Sequence, residues 1–96
     1  MLRHCVFFKW ADGATDEAKS TISAGLDEIA ALDMIEAYSH GADAGLSDGN
    51  WDYVVVGDFA DVDTYRAYAA DASHQALIVE HIRPNIADRA AVQYEI

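Results

Sequence analysis

A chain of 96 residues, 52% of them apolar, amounts to one domain with a thin core. Seventeen acidic against six basic side chains leave a net charge of −11, a sign that repels phosphate backbones and anionic headgroups and so excludes nucleic acid and membrane surfaces as partners. No apolar run approaches the roughly 18 residues of a membrane span, no signal peptide is read, and the lone Cys5 has neither a disulfide partner nor metal-like spacing, which predicts a reducing compartment, the cytoplasm.

Leu2 to Trp10 alternates and is rich in aromatic and branched side chains before it stops at Ala11-Asp12-Gly13, which predicts a strand, β1, and a turn. Thr15 or Asp16 is placed to cap a helix, α1, over about residues 16 to 32, where Ile22, Leu26, Ile29 and Ala30 recur at helical spacing. Ile35 to Ala42 predicts a weaker strand, β2, and the Gly, Asp and Ser content from Gly41 to Asn50 predicts a long hairpin loop. Trp51 to Phe59 carries the strongest strand signal, β3, with Tyr53, Val54, Val55 and Val56 in a row. Asp61 can cap a helix with Val62, Tyr65, Tyr68 and Ala69 on one face, and the chain then breaks at Asp71-Ala72-Ser73. A further helix runs from about Ser73 to Arg83, where Pro84 ends it, and Ala87 to Tyr94 closes the chain as β4. The order βαββαβ defines an α+β fold, with residues 1–96 read as one domain.

Alternation places His4, Val6, Phe8 and Trp10 on one face of β1 and Cys5 and Phe7 on the other, so both faces carry large apolar groups. β3 repeats the pattern, with Tyr53 and Val55 opposed to Val54 and Val56. The helices of a βαββαβ chain cover only one face of its sheet, so the other is expected to pack against a second copy of the chain. Cys5 then falls on the dimer face, buried and inert.

Several segments together resemble one known family. Leu2-Arg3-His4-Cys5-Val6-Phe7-Phe8-Lys9-Trp10, the Asp58-Phe59 strand end, Tyr65-Arg66-Ala67-Tyr68, Ser73-His74-Gln75 and Val92-Gln93-Tyr94-Glu95 are similar, in order and spacing, to the stress-responsive dimeric A/B barrel, or Dabb, domain. The resemblance spans essentially the whole chain and implies a ferredoxin-like fold, a four-stranded antiparallel sheet and a homodimer forming an α+β barrel. Most members of that family are known as stress-induced proteins without an assigned reaction. One, the plant polyketide cyclase olivetolic acid cyclase, performs an aldol-type ring closure with a tyrosine and a histidine that match Tyr68 and His74, and a further cavity histidine matches His4. This chain departs from that enzyme with Tyr53 in place of a second pocket histidine, Leu26 in place of a tyrosine, and Asp71-Ala72-Ser73-His74-Gln75 where His-Pro-x-His-Gln is commoner in the family.

The resemblance thus implies His74, Tyr68 and His4 as catalytic groups. A histidine in the first turn of a helix capped by Asp71 or Ser73 is favoured as neutral imidazole by the helix dipole, which suits a general base, and the Tyr68 phenol can donate to a developing enolate oxygen. The plainer reading is that early-helix and strand histidines are hydrogen-bonded packing residues. Tyr53, Val6, Phe8, Val55, Tyr65 and Leu77 are expected to line a small apolar pocket beside them. His40 and His81 are read as structural or surface residues, and no spacing indicates a metal, a phosphate loop or another cofactor. The expected function is binding of a small apolar carbonyl or polyketide-like ligand in a homodimer, with enolisation or aldol-type cyclisation as its chemistry. The alternatives are a non-catalytic stress or assembly protein with a solid interior, and a cofactor-independent monooxygenase of the same architecture.

Overall fold

The computed structural model describes residues 1–96. Its elements follow as β1 Leu2–Trp10, α1 Asp16–Ile29, β2 Ala37–Ala42, β3 Tyr53–Phe59, α2 Val62–Ala70, α3 Ala72–Leu77 and β4 Ile86–Glu95. The sheet is antiparallel with the order β2-β3-β1-β4, which places the two most apolar strands at its centre. No helix is long and apolar enough to cross a membrane.

The two-sided character of the central strands is visible in burial. Leu2, His4, Val6 and Phe8 are buried under the helices, whereas Arg3, Cys5 and Phe7 between them are only half-buried on the open face. Tyr53, Val55 and Phe59 join the core from β3, with Ile22, Leu26 and Ile29 from α1 and Tyr68 from α2. Val54 and Val56 on β3, and Val92 and Tyr94 on β4, continue the open face, and the last two are 56% and 45% exposed. One charged pair crosses it: Arg3 donates Nε and Nη2 to Asp58 at 2.7 and 2.9 Å and holds that carboxyl below the usual carboxylate range.

Local signals set the helix starts. Thr15 caps α1 by accepting from the Ala18 amide at 3.0 Å, and Asp61 caps α2 by accepting from the Thr64 amide at 2.8 Å. Gly25 on α1 lets α3 approach closely, since a Cβ there would lie 2.5 Å from the Leu77 Cδ1 atom. In the β2–β3 loop, Gly45 and Gly49 adopt φ of +75° and +82°, the left-handed region that favours glycine.

The largest departure from expectation lies after α3. Pro84 does not end the helix at Arg83; the chain widens into a π-helical turn at Ile78–Ile82 and tightens into a 3-10 turn at Arg83–Asn85 that contains the proline. A proline ring has no amide hydrogen for the carbonyl four residues back, so the wider turn before it avoids an α-helical pairing that cannot form. Asn85 adds a side-chain donor to this turn, its Nδ2 reaching the His81 carbonyl at 2.7 Å.

Candidate functional site

Between the helix-covered side of the sheet and the α2–α3 segment lies a cavity of about 300 Å³, at the small end of ligand sites. Val6, Phe8, Leu26, Val55, Ile78 and Ile82 form its apolar wall. His4, Tyr38, Tyr65, Tyr68, His74 and Gln75 supply aromatic and polar groups. The three residues expected to carry chemistry therefore meet on one cavity, with the rings of Tyr68 and His74 stacked at 4.1 Å and those of His4 and Tyr68 6.2 Å apart.

The break between α2 and α3 positions His74. Asp71 is extended, with φ −60° and ψ 133°, and it caps α3 by accepting from the His74 amide at 3.0 Å. The interruption frees the Tyr68 carbonyl from a continuing helical ladder, and His74 Nδ1 lies 3.1 Å from it. A carbonyl only accepts, so Nδ1 carries the proton and Nε2 keeps its lone pair. Burial lowers the His74 pKa, holding the ring neutral at pH 7. The expected neutral form is thus favoured, with desolvation as its leading cause.

His4 is 4% exposed, and its Nδ1 lies 2.8 Å from Nε2 of Gln93 on the neighbouring strand β4. An amide NH2 only donates, so Nδ1 accepts and the proton of neutral His4 sits on Nε2. The two histidines thus hold opposite tautomers: His4 retains an N–H to give, and His74 a lone pair to accept a proton. Burial, reinforced by Arg89 and His74, lowers the His4 pKa from 6.5 to about 4.

An acid dependence follows from that shift. Between pH 6.5 and about 4 the unfolded chain binds a proton at His4 that the folded chain refuses, so stability falls as pH drops through that window and levels below it. The loss from His4 is on the order of 3 kcal/mol, and His74 adds to it in the same direction. Denaturant titrations at pH 7 and pH 4.5 are expected to show the drop in the wild type and a smaller one in His4→Leu; equal drops in the two proteins would contradict the assignment.

Tyr68 is buried, and its hydroxyl lies 2.9 Å from that of Tyr38 on β2. Burial raises both phenol pKa values, so both remain protonated. Sequence patterning alone does not single out Tyr38, Gln93 or Arg89. Tyr38 sits in a weak strand of Ala, Ser and Gly, and β4 alternates too poorly to reveal a face. The β1–β4 register brings in the last two, pairing His4 with Gln93 and Phe8 with Arg89, and the β2–β3 register sets Tyr38 opposite Gly57.

Two expected lining residues lie elsewhere. Tyr53 is on the predicted face, but its hydroxyl bonds to His40 Nδ1 at 2.7 Å and its ring packs on Phe8 and Trp10, away from the cavity wall. Leu77 packs against α1 at Gly25 and does not line the cavity. His40, read as structural or surface, links Tyr53 to Asp27 of α1, its Nε2 lying 2.6 Å from that carboxylate. His81 is half-buried outside the cavity, and Cys5 is half-buried on the open face.

The comparisons agree with this architecture. Among curated proteins none matches the chain. A dimeric ferredoxin-like protein of unknown function from Thermobifida fusca is 36% identical, with 99% of this chain and 90% of that one aligned at a TM-score of 0.92. A Dabb family protein with a ferredoxin-like fold from Mesorhizobium loti is 15% identical, covering 99% and 95% of the two chains at a TM-score of 0.84. A hydroxynitrile lyase from Passiflora edulis is 18% identical, covering 99% and 92% at a TM-score of 0.82. The profile of the stress-responsive A/B barrel domain matches residues 2–96, and together with the ferredoxin-like sheet this establishes that the chain belongs to the Dabb family.

Proposed function

We propose that the protein is a homodimeric barrel that binds a small apolar carbonyl compound in each subunit and catalyses its enolisation, leading to aldol-type closure where a second carbonyl is within reach. The observation that carries this reading is the pair of neutral histidines of opposite tautomer on one largely apolar cavity. His74 Nε2 takes a proton from the carbon beside the carbonyl, and the electron pair of that C–H bond becomes the enolate. His4 Nε2–H and the Tyr68 hydroxyl donate to the oxygen where the charge develops. In ring closure the enolate carbon bonds to the second carbonyl carbon, and the new alkoxide recovers the proton from His74.

Three further observations support the reading. The same fold carries a lyase in Passiflora edulis. A cavity of about 300 Å³ argues against an assembly protein with a solid interior. The apolar open face fits a second copy of the sheet, and the Thermobifida fusca relative is described as dimeric. No bound cofactor is required for the proton transfers, and the unpaired Cys5 suits the cytoplasm.

The direct test is incubation of the protein with 1-phenylpropan-2-one in D2O at pH 7, following loss of the α-proton signals by NMR. Exchange well above that in an equal concentration of free imidazole is the expected result. Exchange no faster than the imidazole control would overturn the catalytic reading, and oxygen uptake with phenolic substrates would favour a monooxygenase in its place.

A further inference from the structure

The distribution of charge around the cavity departs from that of the chain. Seventeen of 96 residues are acidic, yet no aspartate or glutamate lines the cavity. Two of the six basic residues, Arg83 and Arg89, do line it. Other cations are engaged elsewhere: Arg3 with Asp58, Lys9 with the Asn50 carbonyl and the Trp51 ring, and Lys19 over the Trp10 ring. The side-chain contacts of basic groups with carboxylates involve the amino terminus, Arg3 and His40, so neither cavity arginine has a carboxylate partner.

Placement gives these charges a direction. Arg89 pairs in register with Phe8, which puts it on the helix-covered face of β4. The adjacent acid, Asp88, belongs to the opposite face and accepts from the Arg89 backbone amide at 2.8 Å. Arg83 opens the 3-10 turn that leads into β4 and lines the same cavity. Both residues are exposed, so their guanidinium groups stand at the rim while the interior remains apolar. The Arg89 charge is felt within as well, since it opposes protonation of His4 and His74. In a protein of net charge −11, a rim with two unpaired guanidinium groups and no acid is an electrostatic funnel for an anion.

We propose that the ligand is a carboxylate-bearing keto compound, its carboxylate held at the rim by Arg89 and Arg83 and its carbonyl end directed between His4 and His74. The inference rests on the carbonyl-binding reading and adds the substrate class. Guanidinium forks match carboxylates in a bidentate manner, and they select an acid over its neutral ester without changing the apolar fit.

Binding of 3-benzoylpropanoate and of its methyl ester, followed by amide chemical shifts in the intact protein, tests this. The acid is expected to bind about tenfold or more tightly than the ester, and R83Q/R89Q is expected to equalise them by weakening the acid alone. R89K, which retains the charge but not the fork, should fall between the two. Both arginines are exposed and without ion pairs, so the variants are expected to fold, and their amide spectra report it directly. Equal binding of acid and ester by the wild type would overturn the carboxylate inference and leave the carbonyl-binding cavity standing. Failure of both to bind would overturn the two together.

Discussion

Replacing Phe7 by Asp is expected to convert the protein from dimer to monomer. Phe7 lies on the central strand in the open face, opposite Val54 on one side and Ala90 on the other. With Val56, Val92 and Tyr94 it forms the apolar surface that the helices leave uncovered. Two such sheets packed face to face bury on the order of 1,600 Å² in total, the range of a stable pair. An unpaired carboxylate at the centre of that interface costs about 3–5 kcal/mol, which weakens association by about 10² to 10³-fold or more. Val62→Asp is the control. Val62 is 42% exposed in the first turn of α2, where a carboxylate suits the helix dipole, and the dimer should persist. Light scattering across a dilution series distinguishes the two variants, and a wild type that runs as a monomer at micromolar concentration would contradict the packing argument.

The second large effect belongs to His74. A positioned general base contributes about 10² to 10⁴-fold to proton transfer, so His74→Ala is expected to lower α-deuterium exchange by that factor while the dimer persists. Folding should survive, because the Asp71 cap uses the His74 backbone amide, which alanine retains. His4→Leu should produce a smaller loss, since it removes one donor to the enolate oxygen and leaves the base in place. Tyr68→Phe should also slow exchange, but it strands the Tyr38 hydroxyl and costs stability as well. Undiminished exchange in a correctly assembled His74→Ala dimer would remove His74 from the chemistry.

Legibility in the sequence follows the strength of the physical signal. The central strands are readable because large hydrophobic side chains at both parities suit only a strand covered on both faces, and the caps Thr15, Asp61 and Asp71 are readable because each precedes a helical run. Alternation also puts His4, Val6, Phe8 and Tyr53 on the correct side of the sheet. It does not say where along the strand the cavity lies, so it places Tyr53 in the lining; the ring sits near the loop end of β3, tied to His40. Helical spacing gives Leu77 a buried side without saying that it meets α1 at Gly25 and not the cavity. The π-helical turn before Pro84 is a compromise between a missing amide hydrogen and the need to keep Ile78 and Ile82 in the core region, and no local propensity encodes it. The tautomers depend on a partner 89 residues away for His4 and on a carbonyl across a helix break for His74, so they emerge only with the fold.

The measurement that bears most directly on the site is a long-range 1H–15N correlation spectrum of the histidine rings at pH 7. It should show both rings neutral, with the proton of His74 on Nδ1 and that of His4 on Nε2. A protonated ring at either position, or the same tautomer at both, would contradict the division of donor and acceptor on which the proposed chemistry stands.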